Sequence, residues 1–321
     1  MDVAENPLKD EWQVKNCVMM LRTKMIRRLG VVILLWIGSV SIAHTQPSGF
    51  MEKDVTVHGF NMHYIEAGSG PPLVLLHGLW GGQNEWRLNM EPLSTNFRVI
   101  VLDQIGFGKS DKPHANYHNA LLAQFLVGFM EAVEIPKATL VGHAMGANTA
   151  TYMAVHYPHL VKQIVLVDGA GYRNPNRDLA KPLTEPQIKF RRIVTGSDLA
   201  ATRNFLKRRV YDPELITDSW VQEAFTLWLK SARAIENMLL EGGDITEEEM
   251  RTIRVPTLIV WGKEDRVFPL SNADRLNQDI AGSQKVIFNK TGHLPQVEVP
   301  EKFNRVIYEF LTTGKVKSVS Y

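Results

Sequence analysis

Several short stretches set proton-carrying residue types against glycine. They are Leu75-Leu76-His77-Gly78-Leu79-Trp80-Gly81-Gly82, Leu102-Asp103-Gln104-Ile105-Gly106-Phe107-Gly108-Lys109-Ser110, Leu140-Val141-Gly142-His143-Ala144-Met145-Gly146, Trp261-Gly262-Lys263-Glu264-Asp265 and Thr291-Gly292-His293. Histidine and carboxylate are the side chains that exchange protons near neutral pH. Glycine beside them marks turns where neighbouring chains pass too close for a side chain. Two other readings fail on spacing. Gly108-Lys109-Ser110 has the end of a phosphate-binding loop, but that loop needs glycine at 103, where the chain has aspartate. His114 and His118 are four apart, yet no carboxylate accompanies them in a metal-binding H-E-x-x-H arrangement. Asp103 is expected to hold nearby backbone N–H groups.

The elements that must position these residues alternate along the chain. Segments 54–57 and 62–67 read as strands joined by a turn at His58-Gly59. Further strands are expected at 72–76, 97–102, 138–141, 163–167, 257–261 and 285–288, and helices at 119–133, 145–156 and 300–311. Strands apolar on both faces, alternating with helices, predict an α/β fold: a mostly parallel eight-stranded sheet flanked by helices. Between 171 and 255 the pattern changes, and 186–194, 199–210, 219–234 and 246–253 read as helices only. The domain reading is therefore a leader at 1–43, a core at 52–171 and 255–313, and an all-helical cap at 172–254.

Taken in this order, each at the C-terminal end of a strand, the motifs resemble the capped α/β-hydrolase fold over residues 52–313. The resemblance implies a strained strand-to-helix turn at Gly142–Gly146 that presents a nucleophile from position 144. It implies Asp265 as the orienting acid and His293 as the general base, in the fold's order of nucleophile, acid, histidine. It implies an oxyanion hole from the backbone N–H groups of Leu79 and Met145. Trp80, after the oxyanion turn, is the aromatic expected in a substrate pocket, and His77 and His143 are expected to be structural. No metal or organic cofactor is implied, and the expected partner is a small-molecule substrate.

The chain departs from the pattern at position 144, which is alanine. Haloalkane dehalogenase and epoxide hydrolase chemistry needs an aspartate there and is excluded unless another residue substitutes. Serine esterase, lipase and carbon–carbon bond hydrolase mechanisms lose their nucleophile. Three explanations stay open: a serine enzyme carrying a substitution, a hydrolase in which His293 activates water directly (enzymes resembling aminoacrylate hydrolases tolerate alanine there), or a binding protein without catalysis. The expected activity is hydrolysis of an ester or related carbonyl compound, with non-catalytic small-molecule binding as the alternative.

Composition narrows the rest. The chain is 45% hydrophobic, with 36 basic and 34 acidic residues among its 321. That balance supports a folded core and argues against a large nucleic-acid interface. Its one cysteine, Cys17, excludes a disulfide framework. The cap carries Lys189, Arg191, Arg192, Arg203, Lys207, Arg208 and Arg209. These are read as a solvated helix face rather than a grip on an anionic substrate. Trp220, Phe225, Trp228 and Leu229 are expected on the cap's underside. At the N-terminus, Arg22, Lys24, Arg27 and Arg28 precede an apolar run at 29–43 that ends Ser41-Ile42-Ala43. As a helix the run would span about 22 Å, short of the ~30 Å hydrocarbon layer, so it reads as a secretory signal. The expected location is periplasmic or secreted, the alternative a membrane anchor through the uncleaved segment. Cleavage after Ala43 would leave 278 residues with 30 basic and 30 acidic side chains.

Overall fold

The computed structural model describes residues 49–169, 171–172, 185, 188, 198–241 and 245–317. The leader at 1–43, the helix expected at 186–194 apart from Ile188, and the bases Lys189, Arg191 and Arg192 lie outside the described residues. Among the described residues no helix is long and apolar enough to cross a membrane.

The chain opens with a hairpin of β1 (Met51–Val57) and β2 (Phe60–Ala67), turned at His58 and Gly59 with φ of 51° and 82°. Two left-handed residues in a two-residue loop match the right-handed twist of the strands they join. Next come β3 (Pro72–Leu76), helix α1 (Met90–Ser94), β4 (Arg98–Leu102), α2 (Asn119–Ala132), β5 (Ala138–His143), α3 (Met145–His156) and β6 (Val161–Val167). After a helical insertion the core resumes with β7 (Thr257–Gly262) and, beyond a further helix, β8 (Gln284–Phe288). The strands form one eight-stranded sheet in the order β1-β2-β4-β3-β5-β6-β7-β8. β1, β2 and β4 pair antiparallel, and β3 to β8 run parallel.

Side-chain alternation sorts the core onto two faces. Val74, Leu76, Ile100, Leu102 and Leu140 pack with Leu122, Phe125 and Phe129 of α2, with Ala150 and Met153 of α3, and with the insertion. Leu73, Leu75, Val99, Val101 and Val141 pack on the opposite face against Leu93 of α1 and Phe303, Ile307 and Phe310 of the C-terminal helix (Pro300–Thr313). Covering both faces brings the C-terminal ends of the parallel strands, where the motifs lie, to one edge.

The insertion's described helices are α4 (Leu199–Arg209), α5 (Asp218–Lys230), α6 (Ala232–Glu241) and α7 (Glu247–Met250). The single helix expected at 219–234 is two. Ser231 leaves the helical conformation at φ −104° and ψ 10°, and its N–H donates back to Leu227 and Trp228. The helix expected at 246–253 is one turn, closed by a capping box between Thr246 and Glu249. On α5 the buried positions are Val221, Ala224 and Trp228, while Leu229 is half exposed, not on the underside.

At the end of β7, a Cβ on Gly262 would meet the carbonyl oxygen of Gly292 at 1.8 Å. The clash is with backbone that cannot rotate away. Gly262→Ala should therefore destabilise by at least the ~1–3 kcal/mol usual for overpacking, read from the urea midpoint.

Candidate active site

Ala144 sits between β5 and α3 at φ 48° and ψ −108°. A non-glycine residue held at positive φ away from the favoured left-handed well is strained, on the order of 1–3 kcal/mol. The surroundings enforce it. The Ala144 N–H donates to Val167 O at 2.9 Å. A Cβ on Gly142 would lie 2.2 Å from Gly146 O, and one on Gly146 2.3 Å from Leu76 O. The elbow can form only with glycine at both positions.

Asp265 and His293 come from the loops after β7 and β8. The loops are zipped together: Lys263 N–H donates to Phe288 O, Glu264 N–H to Thr291 O, and Thr291 N–H to the Glu264 carboxylate. His293 Nδ1 donates to Asp265 Oδ2 at 2.8 Å. The other oxygen, Oδ1, accepts from the N–H groups of Val267 (2.6 Å) and Phe268 (3.1 Å). Burial would raise the Asp265 carboxyl, but His293 and these N–H groups hold it below its ordinary value. Burial pulls the His293 imidazole down to about 4, against the opposing pull of Asp265. At neutral pH the ring is therefore uncharged, with its proton on Nδ1. Nε2 is buried and has no hydrogen-bond partner among the described residues.

The expected oxyanion donors are free for such a role. Neither Leu79 N–H nor Met145 N–H is donated within the protein among the described residues. His77 shapes their turn, with Nδ1 2.7 Å from Gly78 O and Nε2 accepting from Gln104 N–H. Asp103 takes the N–H groups of Gln83 and Lys109, both at 2.9 Å, as its backbone-holding role requires. His118 caps α2 through Leu121 N–H, and His114 pairs with Arg233, so the two do not share a ligand.

Three buried ionisable groups escaped the sequence reading. Glu85, between β3 and α1, accepts from Gly78 N–H at 2.9 Å, faces His143 Nδ1 at 2.9 Å and Arg209 at 3.2 Å. Burial opposes its charge, yet His143, Arg209 and Gly78 N–H together hold it well below the usual carboxylate range. Arg209 closes α4 and is 2% exposed, so it leaves the solvated face assigned to the insertion's bases. Arg203, by contrast, makes a surface pair with Asp218. Trp80 lies against Arg209 and Phe205, and its carbonyl accepts from Trp228 Nε1 at 2.7 Å. It borders a cleft of about 20 Å³ with Glu85, Arg209, Trp220 and Leu227, room for roughly one water. The third group is Asp168, just past β6, with φ 45° and no exposed surface. Burial first, then Asp265, raise it well above an ordinary carboxyl. Asp168, Asp265 and His293 bring one ligating atom each within 4.8 Å of one another. The Asp265 and His293 atoms are already joined by their hydrogen bond.

A family model described as the alpha/beta hydrolase fold matches residues 71–191 and 216–300. The chain belongs to this family. Among its relatives is a 2-hydroxy-6-oxo-2,4-heptadienoate hydrolase of Pseudomonas putida, 31% identical over 80% of this chain and 95% of that one. Similar solved structures include a meta-cleavage product hydrolase from Pseudomonas fluorescens, a serine-to-alanine mutant complexed with acetates. It has a TM-score of 0.72, is 30% identical and covers 82% of this chain and 98% of that one. Another is a bacterial membrane phospholipase A, with a TM-score of 0.72, 27% identity and coverage of 82% and 86%.

Within this α/β-hydrolase, Arg209→Met would leave Glu85 buried with one cation fewer. Breaking a buried pair from one side typically costs about 3–5 kcal/mol. The urea midpoint should fall accordingly, and Glu85→Leu combined with Arg209→Met should recover part of the loss.

Proposed function

We propose that the protein hydrolyses an ester or related carbonyl substrate of small to medium size, with His293 as the base that activates water. The observation carrying this reading is the state of His293: Nδ1 is committed to Asp265, and Nε2 is unprotonated, buried and without a partner among the described residues. Alanine at 144 offers no hydroxyl to donate to Nε2. Water is the nucleophile that remains once the elbow lacks serine. In the proposed step a water proton passes to Nε2 as the water oxygen bonds to the carbonyl carbon. The carbonyl π pair moves onto oxygen, where Leu79 N–H and Met145 N–H stabilise it. Collapse expels the alkoxide, which takes the proton back from Nε2. Asp265 fixes the tautomer throughout and supports the transient imidazolium. The relatives, a dienoate hydrolase among them, favour hydrolysis as the reaction class, and the phospholipase-like fold favours an ester.

The chain as given, Ala144→Ser and His293→Ala should be assayed side by side on short-chain aryl esters. Slow turnover is expected with Ala144, falling about 10²–10⁴-fold in His293→Ala. Activity appearing only with serine overturns direct water activation in favour of a substituted serine enzyme. Silence from both would leave a binding protein. The pH dependence follows from the direction of the His293 shift. The base works only unprotonated, so kcat/KM should rise with pH through about 4 and be level by pH 6.5, where an ordinary imidazole is half protonated.

Export is proposed on the leader pattern alone. N-terminal sequencing of the protein recovered outside the cytoplasm should begin at His44, and a chain that retains residues 1–43 in the membrane fraction would favour the anchor.

A further inference from the structure

Two buried carboxyls meet behind the base. One oxygen of Asp168, one oxygen of Asp265 and a ring nitrogen of His293 all lie within 4.8 Å of one another. Their other partners are unequal. Asp265 accepts three hydrogen bonds, from His293 Nδ1 and from the N–H groups of Val267 and Phe268. Asp168 accepts one, from Gly262 N–H to Oδ1 at 3.0 Å, while its Oδ2 is buried with no acceptable donor among the described residues. Two carboxylates at this separation, away from water, cannot both be ionised. The proton belongs to the carboxyl with fewer donors. The other charged or titratable groups bearing on the pair are Glu298, which adds negative charge, and His143 and Arg209, which bear on His293.

We propose that Asp168 is a positioning residue: a neutral carboxylic acid whose Oδ2–H donates to Asp265, and which can ionise in its place as the anion behind His293. The contact satisfies the lone buried oxygen and gives Asp265 a fourth hydrogen bond. It also ties the end of β6 to the loop that carries the acid, because Asp168 N–H donates to Val260 O and its Oδ1 holds Gly262, three residues before Asp265. The backbone at φ 45° suits aspartate or asparagine better than most side chains, so the local turn alone would explain an aspartate or asparagine here. It would not explain a shared proton, and the two accounts diverge once Asp265 is neutralised. With Asp265→Asn the site loses its anion, and Asp168 has only to release its proton to supply another.

The inference rests on His293 as the base, so its test reads protonation rather than turnover and stands even if the protein proves inactive. With carbon-13 in the aspartate carboxyls, infrared spectra at pH 7 should show one protonated aspartic acid, lost in Asp168→Asn. An unaltered chain without that band overturns the proposal, a result that needs no variant to fold. The His293 ring is then titrated by nitrogen-15 NMR in Asp265→Asn with and without Asp168→Asn. The single variant should keep the His293 pKa within about one unit of the original, and the double variant should drop it by more than one unit, a tenfold or greater change in proton affinity. Equal values in the two variants reduce Asp168 to a turn residue and overturn the proposal. Asp168→Asn alone, which preserves the Gly262 bond and can donate to Asp265, should shift His293 little.

Discussion

The site hangs on one buried carboxylate. Glu85 joins the oxyanion turn through Gly78 N–H, the elbow through His143, and the helical insertion through Arg209. Two of these partners also hold His293. His143 Nε2 donates to His293 O at 2.8 Å, and the Arg209 carbonyl accepts His293 N–H at 2.6 Å. Burying the charge of Glu85 is unfavourable unless every oxygen is matched, and here both are. The anion thereby forces three segments far apart in sequence to close on one another, and the His293 peptide is gripped at both ends as a result.

The buried carboxylates differ in what they hold. Glu85 and Asp103 satisfy backbone N–H groups and cations and are fully committed. Asp265 accepts from Nδ1 of His293. The imidazole is kept uncharged by burial, whereas the carboxylate beside it keeps its charge because three donors outweigh the same burial. Both groups in this one dry pocket are thus held deprotonated, the imidazole neutral because burial disfavours its charge and the carboxylate charged because its donors outweigh burial.

The sheet was legible in the sequence because strands buried on both faces leave continuous apolar runs, and glycine marks their ends. Asp265 and His293 were legible because their loops carry Gly262 and Gly292, which approach within the space of a missing side chain. Glu85, Arg209 and Asp168 were not. Glu85 stands in a polar run, Gln83-Asn84-Glu85, and Arg209 follows Lys207 and Arg208, so each looks like its solvated neighbours. Only the register of α4 turns Arg209 inward while Arg208 stays exposed. The helix break at Ser231 was hidden for a related reason: apolar residues continue past it at helical spacing, and serine is tolerated inside helices. Asp168 offered the one usable signal, a charged residue directly after the apolar run of β6 and followed by Gly169, the same pattern that identifies the other strand-end residues.

The grip of the Arg209 carbonyl on His293 has a bearing on how such folds diversify. An insertion that only roofs a pocket can be exchanged between relatives as a module, altering what enters while leaving the chemistry alone. Here the last turn of α4 supplies both a backbone acceptor for His293 N–H and the countercharge for Glu85. A foreign insertion grafted between β6 and β7 would inherit neither. New specificity in this lineage is therefore expected to arise by side-chain replacement within the existing helices, with Arg209 carried along unchanged.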